Sequence, residues 1–169
     1  MSFGEAIQTC LRKYVTFGGR ARRSEYWYFY LFNILVGVVA GILDAILTGA
    51  TGHSFQGSGP IAGLAQIALF LPSLAAMVRR LHDTNHSGWL VLGFIAYLIV
   101  AIVVMVIGVT NLQTGAQGIG SAMSILAVVM VLGIFGFAIY MLVLLCLDGT
   151  PGENAYGPNP KGPNADVFS

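Results

Sequence analysis

Four long apolar stretches leave this chain one class of structure to fold into. A bilayer core about 30 Å thick is crossed by a helix of roughly 20 mostly apolar residues. The stretches at 26–47 (YWYFYLFNILVGVVAGILDAIL), 60–78 (PIAGLAQIALFLPSLAAMV), 88–109 and 121–147 all meet that length. The last is longer than it needs to be and predicts a tilt. None alternates with period two, and all are rich in Ala, Leu and Gly, so strands are excluded. Only 9% of the residues are charged, against about a quarter in a soluble domain. Too few charges remain to wet a soluble surface. A soluble enzyme, a nucleic-acid binder and a disordered chain are therefore excluded together. The expected fold is all-α and integral to a membrane, with four transmembrane helices in one membrane domain over 1–169. The basic segment before the first span is too long for the n-region of a signal peptide.

Charge placement predicts the orientation. Arg12, Lys13, Arg20, Arg22 and Arg23 precede the first span, Arg79 and Arg80 follow the second, and Lys161 follows the fourth. The loops near 49–59 and 110–120 hold no Lys or Arg and are built from small polar residues. The positive-inside rule then places both termini in the cytoplasm. Two cysteines, Cys10 and Cys146, make no disulfide framework.

The chemistry gathers on that basic side. Over 3–17, Phe3, Ile7, Cys10 or Leu11, Tyr14 and Phe17 recur at helical spacing, which predicts an amphipathic helix lying in the interface. Gly18 and Gly19 break it, three arginines follow, and Ser24 is placed to cap the first span. Tyr26, Trp27, Tyr28 and Tyr30 read as an aromatic belt at headgroup level. The arginines suit anionic headgroups; beside Glu25 they also suit a fixed network or a phosphate group. RRLHDTNHSGW, from Arg79, reads as a tight turn. Its HDTNH mimics a zinc-protease signature, but that chemistry needs both histidines on one helical face and a third ligand. Neither is apparent, and no metal or other cofactor is expected. The segment DGTPGENAYGPNPKGPN, from Asp148, is dense in Gly, Pro and Asn and predicts successive turns. It reads as an ordered hook folded back over the helix ends, with Asp83 paired to an arginine beneath it.

Three runs in order, GRARRSEYW from Gly19, RRLHDTNHSGW from Arg79 and GTPGENAYGPNP from Gly149, resemble the bacterial domain-of-unknown-function family 805. The likeness covers essentially the whole chain. It implies a small protein of the bacterial plasma (inner) membrane whose biochemical activity is unassigned. The family's pattern maps onto Gly19, Arg20, Arg22, Ser24, Glu25, Tyr26 and Trp27. It continues through Pro72, Arg79, Arg80, Leu81, His82, Asp83, Ser87, Gly88 and Trp89, then Gly149, Gly152, Asn154, Tyr156, Gly157 and Pro158. His86 departs from it, which weakens the zinc reading further.

Within the spans, Asn33 and Gln66 are expected to hydrogen-bond across helices. Asp44 is expected to reach interfacial water. Pro72 should kink the second span with Ser73 compensating, and Gly37 and Gly41 should permit a close helix contact within the chain or between copies. No span carries a continuous polar stripe. The candidate cluster is therefore Arg20, Arg22, Arg23, Glu25, Arg79, Arg80, His82, Asp83, Asn154 and Tyr156. The leading reading makes it a non-enzymatic cap that binds anionic phospholipid headgroups or a membrane-protein partner, or gates a small channel in a homo-oligomer. The alternative is a membrane enzyme acting on a phosphate-bearing lipid or small molecule with His82 as acid/base. A His82 facing an open cleft favours the enzyme; a His82 buried in an Arg–Asp network favours the cap.

Overall fold

The fold follows from where the chain can satisfy its backbone. In hydrocarbon every N–H and C=O must be paired internally, so the apolar stretches become helices. The structure, a computed structural model, describes residues 1–51, 59–113 and 117–161. Among them the helices are α1 (Phe3–Arg12), α2 (Arg23–Thr51), α3 (Pro60–Asp83), α4 (Trp89–Gln113) and α5 (Gln117–Cys146). The last four are long and apolar enough to span a bilayer. The middles of the two polar loops and the last residues of the tail lie outside the described residues. No strand occurs among the described residues, only an isolated bridge between Asn154 and Gly157.

Several helices outrun their apolar stretches. The helix α2 begins at Arg23, with Tyr26 N donating to the Arg22 carbonyl at 3.2 Å. Ser24 is thus inside the helix and does not cap it. More consequentially, α3 continues past Val78 to Asp83. Arg79, Arg80, His82 and Asp83 stand on its final turns and not in a loop. Charged residues end a hydropathy pattern, but they do not end a helix when they have partners inside. The helix ends at Asp83, and just past its cap Asn85 takes the left-handed conformation (φ 60°) that asparagine tolerates at helix ends.

The chain divides into two compact units, Met1–Asn85 with Asp148 onward, and His86–Leu147. The second is the α4–α5 hairpin. Phe94 stacks on Phe137 with ring centroids 4.9 Å apart, and the Tyr97 hydroxyl donates to the Met130 carbonyl at 3.0 Å. Gly133 makes room for that hydroxyl, since a Cβ there would overlap it.

The first unit packs α1 and α3 against α2 and reverses the usual soluble arrangement. Its largest fully buried side chains include Arg79, Arg80 and Asp83 beside Phe29 and Leu81, while Leu64, Ile67 and Phe70 lie exposed. Soluble interiors almost never hold such charges unless they are paired. Tyr26 is buried, so only Tyr28 and Tyr30 of the expected belt stand exposed. On α1, Ala6 and Cys10 form the buried stripe, and Phe3 and Leu11 remain outside. Asp44 does not reach outward. It is buried, and its two oxygens accept from Ile61 N at 3.0 Å and Ala62 N at 2.8 Å, satisfying the first turn of α3. Gly59 packs against that carboxylate, where a Cβ would overlap it. Asn33 does cross helices, its Oδ1 lying 3.1 Å from the Ser73 hydroxyl, which shares its one proton with the nearer Leu69 carbonyl. Gln66 is exposed and makes no such bond among the described residues. Neither Gly37 nor Gly41 has an atom within 4 Å of where a Cβ would sit, so their spacing makes no close contact inside the chain.

Pro72 explains a further contact. Proline lacks the N–H that would bond the carbonyl four residues earlier, here that of Ala68. The Tyr14 hydroxyl, reaching over from the segment after α1, donates to that carbonyl. Ser73 instead donates to Leu69 at 2.6 Å. Tyr14→Phe is therefore expected to cost about 1–3 kcal/mol by leaving the carbonyl unsatisfied. In a Pro72→Ala background the restored N–H should remove most of that cost. Thermal denaturation of the four proteins of this cycle checks it, and a Tyr14→Phe effect indifferent to residue 72 would refute the pairing.

Candidate functional site

The site grows from the end of α3. Arg79 and Arg80 occupy its last two turns, and Asp83 is its final residue. Arg79 is buried and its Nη1 donates to the carbonyls of Lys13 at 3.1 Å and Thr16 at 2.7 Å. These carbonyls follow the C-terminus of α1, where a cation is favoured. Its Nη2 pairs with Glu25 Oε1 at 3.0 Å, with the Cys10 sulfur 3.9 Å away. Cys10 in turn donates to Glu25 at 3.8 Å. Burial, followed by the nearby Glu25 carboxylate, pushes the Cys10 thiol up to about 12. One guanidinium thus ties α1, α2 and α3 together.

Arg20 does the same for the tail. Asp83 Oδ1 accepts from Arg20 Nε at 2.9 Å, and Asp83 Oδ2 accepts from Arg80. The remaining Arg20 donors reach tail carbonyls, those of Thr150 and Gly152 at 2.7 Å each and Gly157 at 3.3 Å. Turning successive carbonyls onto one cation requires backbone that most residues resist. Gly152 and Gly157 supply it at φ 75° and 131°. Gly149 packs so closely on the Asp83 carboxylate that a Cβ would overlap it. The Asp83 carbonyl, orphaned at the helix end, accepts from Thr150 N at 2.9 Å. The His82 carbonyl accepts from Asn154 Nδ2, also at 2.9 Å.

His82 lies inside this fastening. Its ring stacks on Tyr156, with centroids 3.9 Å apart and planes 3° from parallel, and Nδ1 bonds the Gly19 carbonyl at 3.1 Å. A carbonyl only accepts, so Nδ1 carries the proton.

Of the ten candidate residues, Arg20, Glu25, Arg79, Arg80, His82, Asp83, Asn154 and Tyr156 are joined in this assembly. Arg22 and Arg23 are not. Arg23 forms a surface pair with Asp148 at 2.7 Å. The same carboxylate accepts from Lys161 at 3.0 Å, and chiefly that hydrogen bond holds it below the usual carboxylate range. Arg22 is half-buried and lines a cleft. Asp83 takes Arg20 and Arg80 as partners, whereas Arg79 goes to Glu25. The roles of Cys10, Thr150 and the carbonyls of Gly19, Lys13 and Thr16 were not apparent from the residues. Backbone acceptors carry no side-chain signature, and the Gly, Pro and Asn density of the tail signals turns without saying where their carbonyls point. No three His, Cys, Asp or Glu side chains converge on a possible metal position among the described residues.

A cleft of about 590 Å³ opens beside the network. Glu5, Thr9, Lys13 and Thr16 line one wall, and Pro158, Asn159 and Pro160 another. Gly18, Gly19, Arg20, Arg22, Glu25, Arg79 and Tyr156 complete it. His82 is not among its lining residues.

Four membrane-length helices, together with a buried network of paired charges that latches the tail, define a polytopic α-helical membrane protein. The chain belongs to the family described as Protein of unknown function (DUF805), whose model matches residues 14–158. It is 35% identical over 151 residues to the Inner membrane protein YhaH of Escherichia coli strain K12, covering 89% of this chain and 92% of that one. It is 32% identical over 152 residues to the Inner membrane protein YhaI of the same strain, covering 89% and 91%. No solved structure matches the chain.

Proposed function

We propose that this protein lies in the bacterial inner membrane with both termini in the cytoplasm and α1 in the interface, and that its folded cap binds anionic phospholipid headgroups without catalysing a reaction. The observation that carries this reading is the position of His82. Its ring face is covered by Tyr156, its Nδ1 is spent on Gly19, and it takes no part in lining the cleft. A general acid/base must reach a substrate proton, and His82 is held as a structural member instead. Phe3, Leu11, Val15 and Phe17 stand exposed on and after α1, as an element resting on acyl chains would present them. The relatives' printed names support the inner membrane, and the placement of every Lys and Arg supports the orientation.

Two measurements test it. A periplasm-only reporter should be silent when fused after residue 169 and active when inserted in the loop at 52–58; the reverse pattern would overturn the orientation. In nanodiscs, the Tm should be several degrees higher in phosphatidylglycerol than in phosphatidylcholine, in keeping with about 1 kcal/mol per basic residue at an anionic surface. Equal Tm values in the two lipids would overturn headgroup binding.

A further inference from the structure

We propose that the cleft between α1, the Gly18–Arg22 segment and the tail is a phosphate-binding site, with Lys13 and Arg22 as its ligand-holding cations. The proposal rests on the headgroup reading above but assigns it to one place. Four cations line this cleft, and two of them are already committed. Arg20 is paired with Asp83, and Arg79 with Glu25. The Lys13 ammonium and the Arg22 guanidinium have no carboxylate or carbonyl partner among the described residues. The other acid of the lining, Glu5, closes the capping box of α1, accepting from Ser2 N at 2.7 Å. That bond leaves Glu5 its charge, so Lys13, Arg20, Arg22 and Arg79 face Glu5, Glu25 and Asp83, and the cleft keeps one positive charge in excess.

Its inner wall carries a second mark. Arg79 Nε is a buried nitrogen without a hydrogen-bond partner, the one such buried side-chain atom among the described residues. Orphaned buried donors are costly and few, but solvent does not reach this nitrogen, so what calls for an acceptor-rich occupant is the pair of unpaired cations in front of Arg79. A cavity of this size falls in the range of small-ligand pockets. Glu5, Thr9 and Lys13 follow one another at four-residue spacing, so a single stripe of α1 supplies that wall. The hydroxyls of Thr9 and Thr16 add donors beside the cations. Donors arriving from several directions suit a tetrahedral phosphate better than a planar carboxylate, and a guanidinium engages two of its oxygens at once. The phosphate group has two sources, the headgroup of an anionic lipid and a soluble phosphate ester. The chemistry of recognition is the same for both.

The test uses the full chain in a neutral detergent and reads Tm and Kd for two probes, short-chain phosphatidylglycerol and glycerol 3-phosphate, at matched ionic strength. Lys13→Gln, Arg22→Gln and the double variant are compared, each against its own unliganded Tm. At least one probe should raise the wild-type Tm, each single variant should weaken its Kd about tenfold or more, and the double variant should lose the shift. A response to phosphatidylglycerol alone assigns the site to lipid; a response to glycerol 3-phosphate assigns it to a soluble ester as well, and both support the cleft. No shift with either probe, or a full shift in the double variant, overturns it. If the double variant keeps the wild-type preference for phosphatidylglycerol nanodiscs, the cleft assignment fails while headgroup binding by the cap stands. If the wild type shows no such preference yet binds glycerol 3-phosphate through Lys13 and Arg22, headgroup binding fails and the cleft stands.

Discussion

Asp83→Ala is expected to lower stability in detergent by about 3–5 kcal/mol, the cost of breaking a buried ion pair from one side. The carboxylate is the shared counter-charge of Arg20 and Arg80, and all three side chains are almost wholly buried. Neither guanidinium can shed its charge, so each would be left buried without its carboxylate counter-charge. The loss should reach the tail as well, because Arg20 holds Thr150, Gly152 and Gly157 only while Asp83 orients it. Limited proteolysis after Leu147 should therefore accelerate in Asp83→Ala. Gly149→Ala should act in the same direction, since its Cβ would displace the carboxylate. Asp148→Asn is the control. That pair lies on the wet surface, where ion pairs contribute little, and its Tm should not change measurably. Equal Tm values for Asp83→Ala and Asp148→Asn would mean that the buried network does not hold the cap.

The contrast between these two aspartates also shows how far the residues could be read. Both follow an apolar stretch and both fall on the side of the chain that carries the basic residues, so their place in the hydropathy pattern gives them the same role. What separates them is which side of the helix end the tail covers, a property of the fold. The spans themselves were legible because hydrocarbon admits only one pairing scheme for the backbone. Their ends were not. The helix α3 runs five residues beyond Val78 because its charged last turns find partners across the unit, and those partners lie 54 and 63 residues away in the chain. Pro72 announced a freed carbonyl, but nothing near it announced that Tyr14 would fill it. Depth alone makes Asp44 interfacial, yet it serves the first turn of a neighbouring helix. In each case the residue type was informative and its partner was not, because hydrogen-bonding groups can be counted from sequence while their directions cannot.

Arg79→Met should release α1, and Cys10 offers the readout. Methionine fills much of the same volume but returns no donor, so Glu25 is left buried without its cation and the carbonyls of Lys13 and Thr16 lose their cap. The expected cost is again about 3–5 kcal/mol, here borne first by the contact of α1 with the rest of the unit. Thiol labelling follows the thiolate. In the wild type Cys10 is fully buried and its thiol is pushed up to about 12, so a maleimide at pH 8 should find almost none of it reactive. A folded thiol less acidic than the ordinary value near 9 stabilises the fold below that pH, and the contribution disappears as the pH rises toward 12. Labelling of the wild type should therefore stay slow through pH 9. In a Cys146→Ser background, where Cys10 is the one thiol left, Arg79→Met should raise the labelling rate at pH 8 by about a hundredfold, as a loss of roughly 3 kcal/mol from the opening free energy requires. Lys161→Gln, at a surface pair with Asp148, should leave that rate unchanged. If wild-type Cys10 labels as fast as a thiol in unfolded chain, Arg79 does not clamp α1, and the anchoring of that helix must come from its apolar contacts alone.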